Sequence, residues 1–144
     1  MTSSLQLERY YKNEPLFGGV FSKDRLPLEP GGKFYIINLE DADDGDGTHW
    51  TCVVDFLPNT CLYVDPYGIS PPPDIVEFMR RSRHGERALY SMDQYQELTS
   101  NNCGYFCVEF CDELLSHRDL HRMDEDLTDR PSNWNEKEVR KVKL

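Results

Sequence analysis

The sequence predicts an α+β fold on one core, and three observations carry that expectation. Short runs rich in β-branched and aromatic residues lie between Phe34 and Asp65. Two of them, Trp50 to Phe56 and Cys61 to Asp65, are separated by a Pro58-Asn59-Thr60 turn, as in an antiparallel hairpin. From Cys103 to Ser116 the apolar positions Cys103, Phe106, Cys107, Phe110, Cys111 and Leu114 recur at helical spacing and form one continuous face. A chain of 144 residues is expected to form one domain, 1–144, large enough to bury one core but not two.

The remaining elements follow in chain order. Ser3 or Ser4 can cap a short helix over Leu5 to Tyr11. Phe17-Gly18-Gly19-Val20-Phe21 and the Pro27 to Gly32 segment read as irregular chain with turns. Phe34 to Leu39 is apolar enough for a central strand. Pro71 to Pro73 and Asp74 introduce an amphipathic helix over Ile75 to Arg81, and Ala88 to Ser91 reads as a further short strand. Asp119 to Pro131 is acidic and expected to be solvated. Ser132 or Asn133 is expected to cap a final basic helix through Trp134, Val139 and Val142.

Composition narrows the function. Lys and Arg number 16 against 26 Asp and Glu, a net charge of −10, which argues against non-specific binding to nucleic acid or anionic membranes. No apolar run approaches the roughly 18 residues of a membrane span, and Met1 to Glu8 is too polar for a signal peptide. Five cysteines with no leader are read as reduced thiols, so an intracellular or virion protein is expected.

The chemistry centres on Asn102-Cys103-Gly104. A thiol in the first turn of a helix meets backbone N–H groups that favour its anion. A thiolate attacking a carbonyl needs an imidazole to hold the proton and return it to the leaving group. His49 opens a predicted central strand, whereas His84, His117 and His121 fall in charged segments. His49 alone would be read as a structural histidine, and Asp65 before Pro66 and Gly68 alone as a turn residue. The hairpin changes both readings, because the start of one strand lies beside the end of the next and brings Asp65 within reach of His49. A side-chain amide from Gln96 or Gln94 can complete an oxyanion site with the Cys103 N–H, and spacing does not choose between the two.

Two other clusters fit ordinary structure better. Glu40 to Gly47 lacks the closing glutamate of a calcium loop and reads as a solvated turn. Cys103, Cys107 and Cys111 fall on one helical stripe and would need Cys52 or Cys61 to close a zinc tetrahedron, so Cys107 and Cys111 read as core packing. No metal or other cofactor is expected.

Taken in order, His49-Trp50, Tyr63-Val64-Asp65-Pro66-Tyr67-Gly68, Gln96 and Asn102-Cys103-Gly104 resemble the adenovirus endopeptidase (adenain) family. Its clan includes the SUMO-specific Ulp-type proteases and the proteases of Maverick/Polinton-like and adinto-type viruses. The resemblance runs from about Phe17 to Glu113 and takes in Phe21 to Pro27 and Tyr35 to Asn38. It implies a papain-like fold of permuted order, in which a small central mixed sheet packs on a helix that starts with the nucleophile. It implies Cys103 as nucleophile, His49 as base and acid, Asp65 as orienter and Gln96 over Gln94 as oxyanion donor. Trp50, Asn102 and Gly104 would border the substrate. The implied activity is maturation of viral capsid or core precursors by cleavage next to small residues such as glycine, in the virion or the infected cell, by a monomer. A SUMO or ubiquitin-like deconjugase and a non-catalytic module that holds peptide tails are the alternatives. Adenain carries Glu where this chain has Asp65, and Ulp-type relatives carry Asp. The adenovirus enzyme is basic and stimulated by DNA, and the charge of −10 argues against carrying that property over. The family leaves room for an activating peptide, but no cysteine lies between Cys61 and Cys103 to attach one covalently.

Overall fold

The computed structural model of the chain describes residues 3–41, 49–83, 87–91, 103–116 and 139–142, with the backbone alone for 139–141. The fold is α+β. Its centre is a mixed sheet in which six described strands lie in sequence order. These are β1 (Phe17–Ser22), β2 (Phe34–Asn38), β3 (Trp50–Leu57), β4 (Thr60–Val64), β5 (Ala88–Ser91) and β6 (Val139–Lys141). β1 runs parallel to β2, and β4 to β5, while the other neighbours are antiparallel. Helices α1 (Ser4–Tyr10), α2 (Pro73–Arg80) and α3 (Cys103–Ser116) complete the described elements. Among the described residues no helix is long and apolar enough to cross a membrane.

Period-two alternation sorts the strand side chains into two layers. Phe34, Ile36, Cys52, Val54, Leu62 and Val64 face one side, where they pack with Leu7 and Tyr11 and with the α3 stripe of Cys103, Cys107, Phe110, Cys111 and Leu114. Tyr35, Ile37, Val53, Cys61 and Tyr63 face the other, against Ile75, Phe78 and Met79 of α2. Helices on both faces explain why β2, β3 and β4 read as nearly unbroken apolar runs instead of alternating ones.

Local chemistry sets the boundaries. Ser3 is the cap of α1: its hydroxyl accepts from the Gln6 N–H at 3.2 Å and its own N–H donates to Gln6 Oε1 at 2.8 Å. Tyr10 and Tyr11 then fasten α1 to α3, both hydroxyls meeting the Asp112 carboxylate. The β3–β4 hairpin turns through Asn59 at φ 52°, a conformation asparagine tolerates. α2 begins earlier than the sequence suggests, with Pro73 in its first turn and no side-chain cap. Asp55 is fully buried and holds a turn: its carboxylate accepts from the Gly32 N–H at 2.8 Å and the Ser82 hydroxyl at 2.5 Å.

Two expectations are corrected. Phe17 to Phe21 is a strand, not irregular chain. Its glycines lower strand propensity, but the edge of β2 supplies a parallel partner, with a register shift between Phe17 and Gly19. Val139–Lys141 is also a strand, not part of a basic helix, because pairing with β5 satisfies an edge that would otherwise be open. The acidic segment 119–131 and the expected start of that helix lie outside the described residues.

Gly18 marks a close approach, since a Cβ there would overlap the ring of Tyr35. That ring cannot yield easily: it is buried, its hydroxyl donates to the Pro30 carbonyl at 2.6 Å, and it packs edge-on against Phe78. Gly18→Ala is therefore expected to lower unfolding free energy by about 1–3 kcal/mol in urea titration. An unchanged midpoint would show that β1 and β2 can part without cost.

Candidate active site

β2 and β4 end, and β3 begins, at one edge of the sheet, and the N-terminus of α3 meets that edge beside Trp50. His49 stands one residue before β3 and Asp65 one residue after β4. The register Cys52↔Val64, continued outward, sets His49 opposite Tyr67. The structure thus brings together residues distant in sequence: His49 Nε2 lies 2.9 Å from Asp65 Oδ2. Asp65 is fully buried, while the His49 side chain is 19% exposed.

Asp65 is held by the turn that follows it. Its Oδ1 accepts from the Tyr67 N–H at 2.8 Å, and its carbonyl accepts from the Gly68 N–H at 2.7 Å, with Gly68 at φ 73°. The turn signature and the orienting carboxylate are one device, since the turn fixes the oxygen that faces the imidazole. A carboxylate can only accept, so Nε2 carries a hydrogen, and in the neutral ring Nδ1 keeps the lone pair that takes up a second proton. Nδ1 is buried and makes no hydrogen bond of ordinary geometry. The Cys103 thiol nevertheless lies near enough to interact with the ring.

Cys103 is the first residue of α3 and is 1% exposed. The Trp50 N–H donates to its Sγ at 3.2 Å. Burial disfavours the thiolate, but His49 and the N–H groups of Trp50 and Gly104 outweigh it, so the thiol lies below its ordinary value. For His49, burial disfavours the charged ring, but Asp65 and Cys103 more than reverse this and raise it to about 9. The two shifts have opposite signs and a shared cause, as in a thiolate–imidazolium pair.

The other thiols have no imidazole beside them. Cys52, Cys61, Cys107 and Cys111 are free and buried; burial pushes Cys61 and Cys107 up, while the Cys107 and Cys111 thiols hold Cys52 down inside the core. Among the described residues no His, Cys, Asp and Glu group could hold a metal.

The structure also shows contributions that the sequence reading missed. The Tyr67 ring stacks on the imidazole, with centroids 4.7 Å apart and planes 10° from parallel. Such a face shields the ring and favours its cation. Trp50 acts on the thiol through its backbone N–H, while its indole is buried in the α3-side core. Continuing the hairpin register two residues past Asp65 would have pointed to Tyr67; nothing in the sequence marks the Trp50 N–H. Gly104 is buried beside Cys103. Gln94, Gln96 and Asn102 lie outside the described residues.

No family model and no curated protein sequence matches the chain. Among solved structures, it is similar to the crystal structure of the ASFV pS273R protease, with a TM-score of 0.55 and 16% identity over 80% of this chain. The matched region spans 58% of that protein. This similarity shows a shared fold, of the papain-like type found in viral cysteine proteases.

Iodoacetamide at about pH 6 is expected to modify Cys103 well ahead of the other cysteines. His49→Ala should abolish that preference, which separates ionisation from simple access to a buried thiol. Tyr67→Leu should slow the reaction roughly two- to fivefold. Equal, slow labelling of every cysteine, mapped by mass spectrometry, would show that the pair is not formed.

Proposed function

We propose that the chain is a cysteine endopeptidase of the adenain type. The observation that carries this reading is the arrangement at the sheet edge: a helix-start thiol held by the Trp50 N–H, and an imidazole placed between that thiol and a buried carboxylate. The fold shared with the ASFV pS273R protease supports it.

In this reading the Cys103 proton rests on His49 Nδ1, and the Sγ thiolate attacks the carbonyl carbon of a bound peptide. Asp65 keeps Nε2 protonated and stabilises the imidazolium. The Cys103 N–H and Gln96 stabilise the tetrahedral oxyanion, with Asn102, Gly104 and Trp50 bordering the substrate. Nδ1–H then protonates the leaving amine as the C–N bond breaks. Water, deprotonated by Nδ1, hydrolyses the thioester and returns the thiol.

The substrates we propose are viral structural precursors cut next to small residues, in the virion or infected cell, by a monomer. That part rests on the sequence resemblance. The proposal includes neither DNA activation nor a covalently attached cofactor, given a net charge of −10 and no cysteine between Cys61 and Cys103.

A library of tetrapeptide aminocoumarins with Gly or Ala before the scissile bond tests the reading. Wild-type protein should cleave a subset and Cys103→Ser none; Asp65→Asn should lose about a hundredfold or more. Activity should rise as Cys103 ionises, below the ordinary thiol range, and fall as the imidazolium is lost near pH 9. Selective alkylation of Cys103 without cleavage of any member would instead favour a peptide-binding module.

A further inference from the structure

Among the described residues three buried side-chain polar atoms lack a hydrogen-bond partner: Tyr63 Oη, His49 Nδ1 and Asn38 Nδ2. His49 Nδ1 has its role as the base in the proposed reaction, and Tyr63 belongs to the layer facing α2. Asn38 is left without an account. It ends β2 with 4% of its surface exposed. Its amide cannot simply be turned over, because Oδ1 accepts from the Glu40 N–H at 2.8 Å, and the reverse orientation would set donor against donor. Buried donors in native proteins are nearly always paired, so an amide locked with its donors facing nothing requires a reason.

Its position supplies one. The Leu39 N–H donates to the His49 carbonyl at 3.0 Å, which makes 39 and 49 a hydrogen-bonded pair of the ladder. Asn38 and Trp50, the next pair, are therefore of the non-hydrogen-bonded kind, in which facing side chains approach closest. Asn38 follows Phe34 and Ile36 on the side of the sheet that faces α3. Across the same edge stand Asn38 on β2, His49 before β3 and Asp65 after β4. The N–H of Trp50, opposite Asn38, is the one that holds Cys103 Sγ.

We propose that Asn38 Nδ2 is a substrate-binding donor, which takes a backbone carbonyl oxygen of the bound peptide and fixes its register against Cys103. The ligand class is a peptide main chain, so this contact is independent of side-chain sequence. Nδ2 is shielded from water, and a carbonyl that reaches it gains a bond at a donor that water does not already occupy. Cys103 is buried as well.

This inference rests on the peptidase reading, and its test separates the two. Asn38→Leu removes the donor; Asn38→Ser draws it back toward the backbone, out of reach of a carbonyl placed for Nδ2, and keeps an oxygen that can accept from the Glu40 N–H. Each is compared with wild type in iodoacetamide labelling of Cys103 and in cleavage of the fastest-cut tetrapeptide aminocoumarin. Both variants should label within about twofold of wild type while kcat/KM falls roughly tenfold, mainly through KM. Unchanged kcat/KM in both variants would overturn the inference. So would a parallel loss of labelling and cleavage, which would make Asn38 a support for the fold. A wild-type protein whose Cys103 labels no faster than its other thiols would overturn the peptidase reading itself.

Discussion

A carboxylate withdrawn from water must have its oxygens satisfied, and Asp65 meets that demand with one N–H from its own turn and one from His49. The rest of the site depends on this pair. Removing either partner would leave a buried charge or an unoriented ring, a loss of the kind that costs about 3–5 kcal/mol when a buried pair is broken. The pair exists because β3 and β4 form a hairpin of fixed register, and the register holds because Cys52, Val54, Leu62 and Val64 must all face α3. A slip of one residue would turn those side chains to the wrong face. Core packing thus sets the geometry of the imidazole.

The same dependence explains why one thiol differs from its neighbours. Cys103, Cys107 and Cys111 share a helical stripe, and sequence spacing gives them equal standing. Only Cys103 lies at the helix start, where an N–H from the facing strand and an imidazole reach it. One turn further along, Cys107 is enclosed by the core and burial raises it. Position along one helix therefore separates a reactive group from a packing group. The two buried aspartates make a similar contrast. Asp55 secures a loop through Gly32 and Ser82, while Asp65 spends one oxygen on its turn and leaves the other for His49.

Much of this was legible in the residues. The hairpin followed from its turn and flanking apolar runs, α3 from its spacing, and the His49–Asp65 contact from the hairpin. What was not legible has physical causes. β1 carries two glycines, and its strand conformation comes from the neighbouring edge, not from its own propensity. β6 is likewise defined by a partner far away in sequence. The Trp50 N–H and the stacking of Tyr67 on the imidazole depend on backbone direction and on a residue past the end of the ladder, which no residue type announces. The unpaired Nδ2 of Asn38 is an absence, and only the three-dimensional structure reveals it.

The central claim is that His49 is held as an imidazolium by a carboxylate on one side and a thiolate on the other. NMR titration of the four histidines measures this directly. One imidazole should titrate near pH 9 and move down in both Asp65→Asn and Cys103→Ser. If all four titrate close to about 6.5, the ordinary value, the pair is not assembled and the account of the site is wrong.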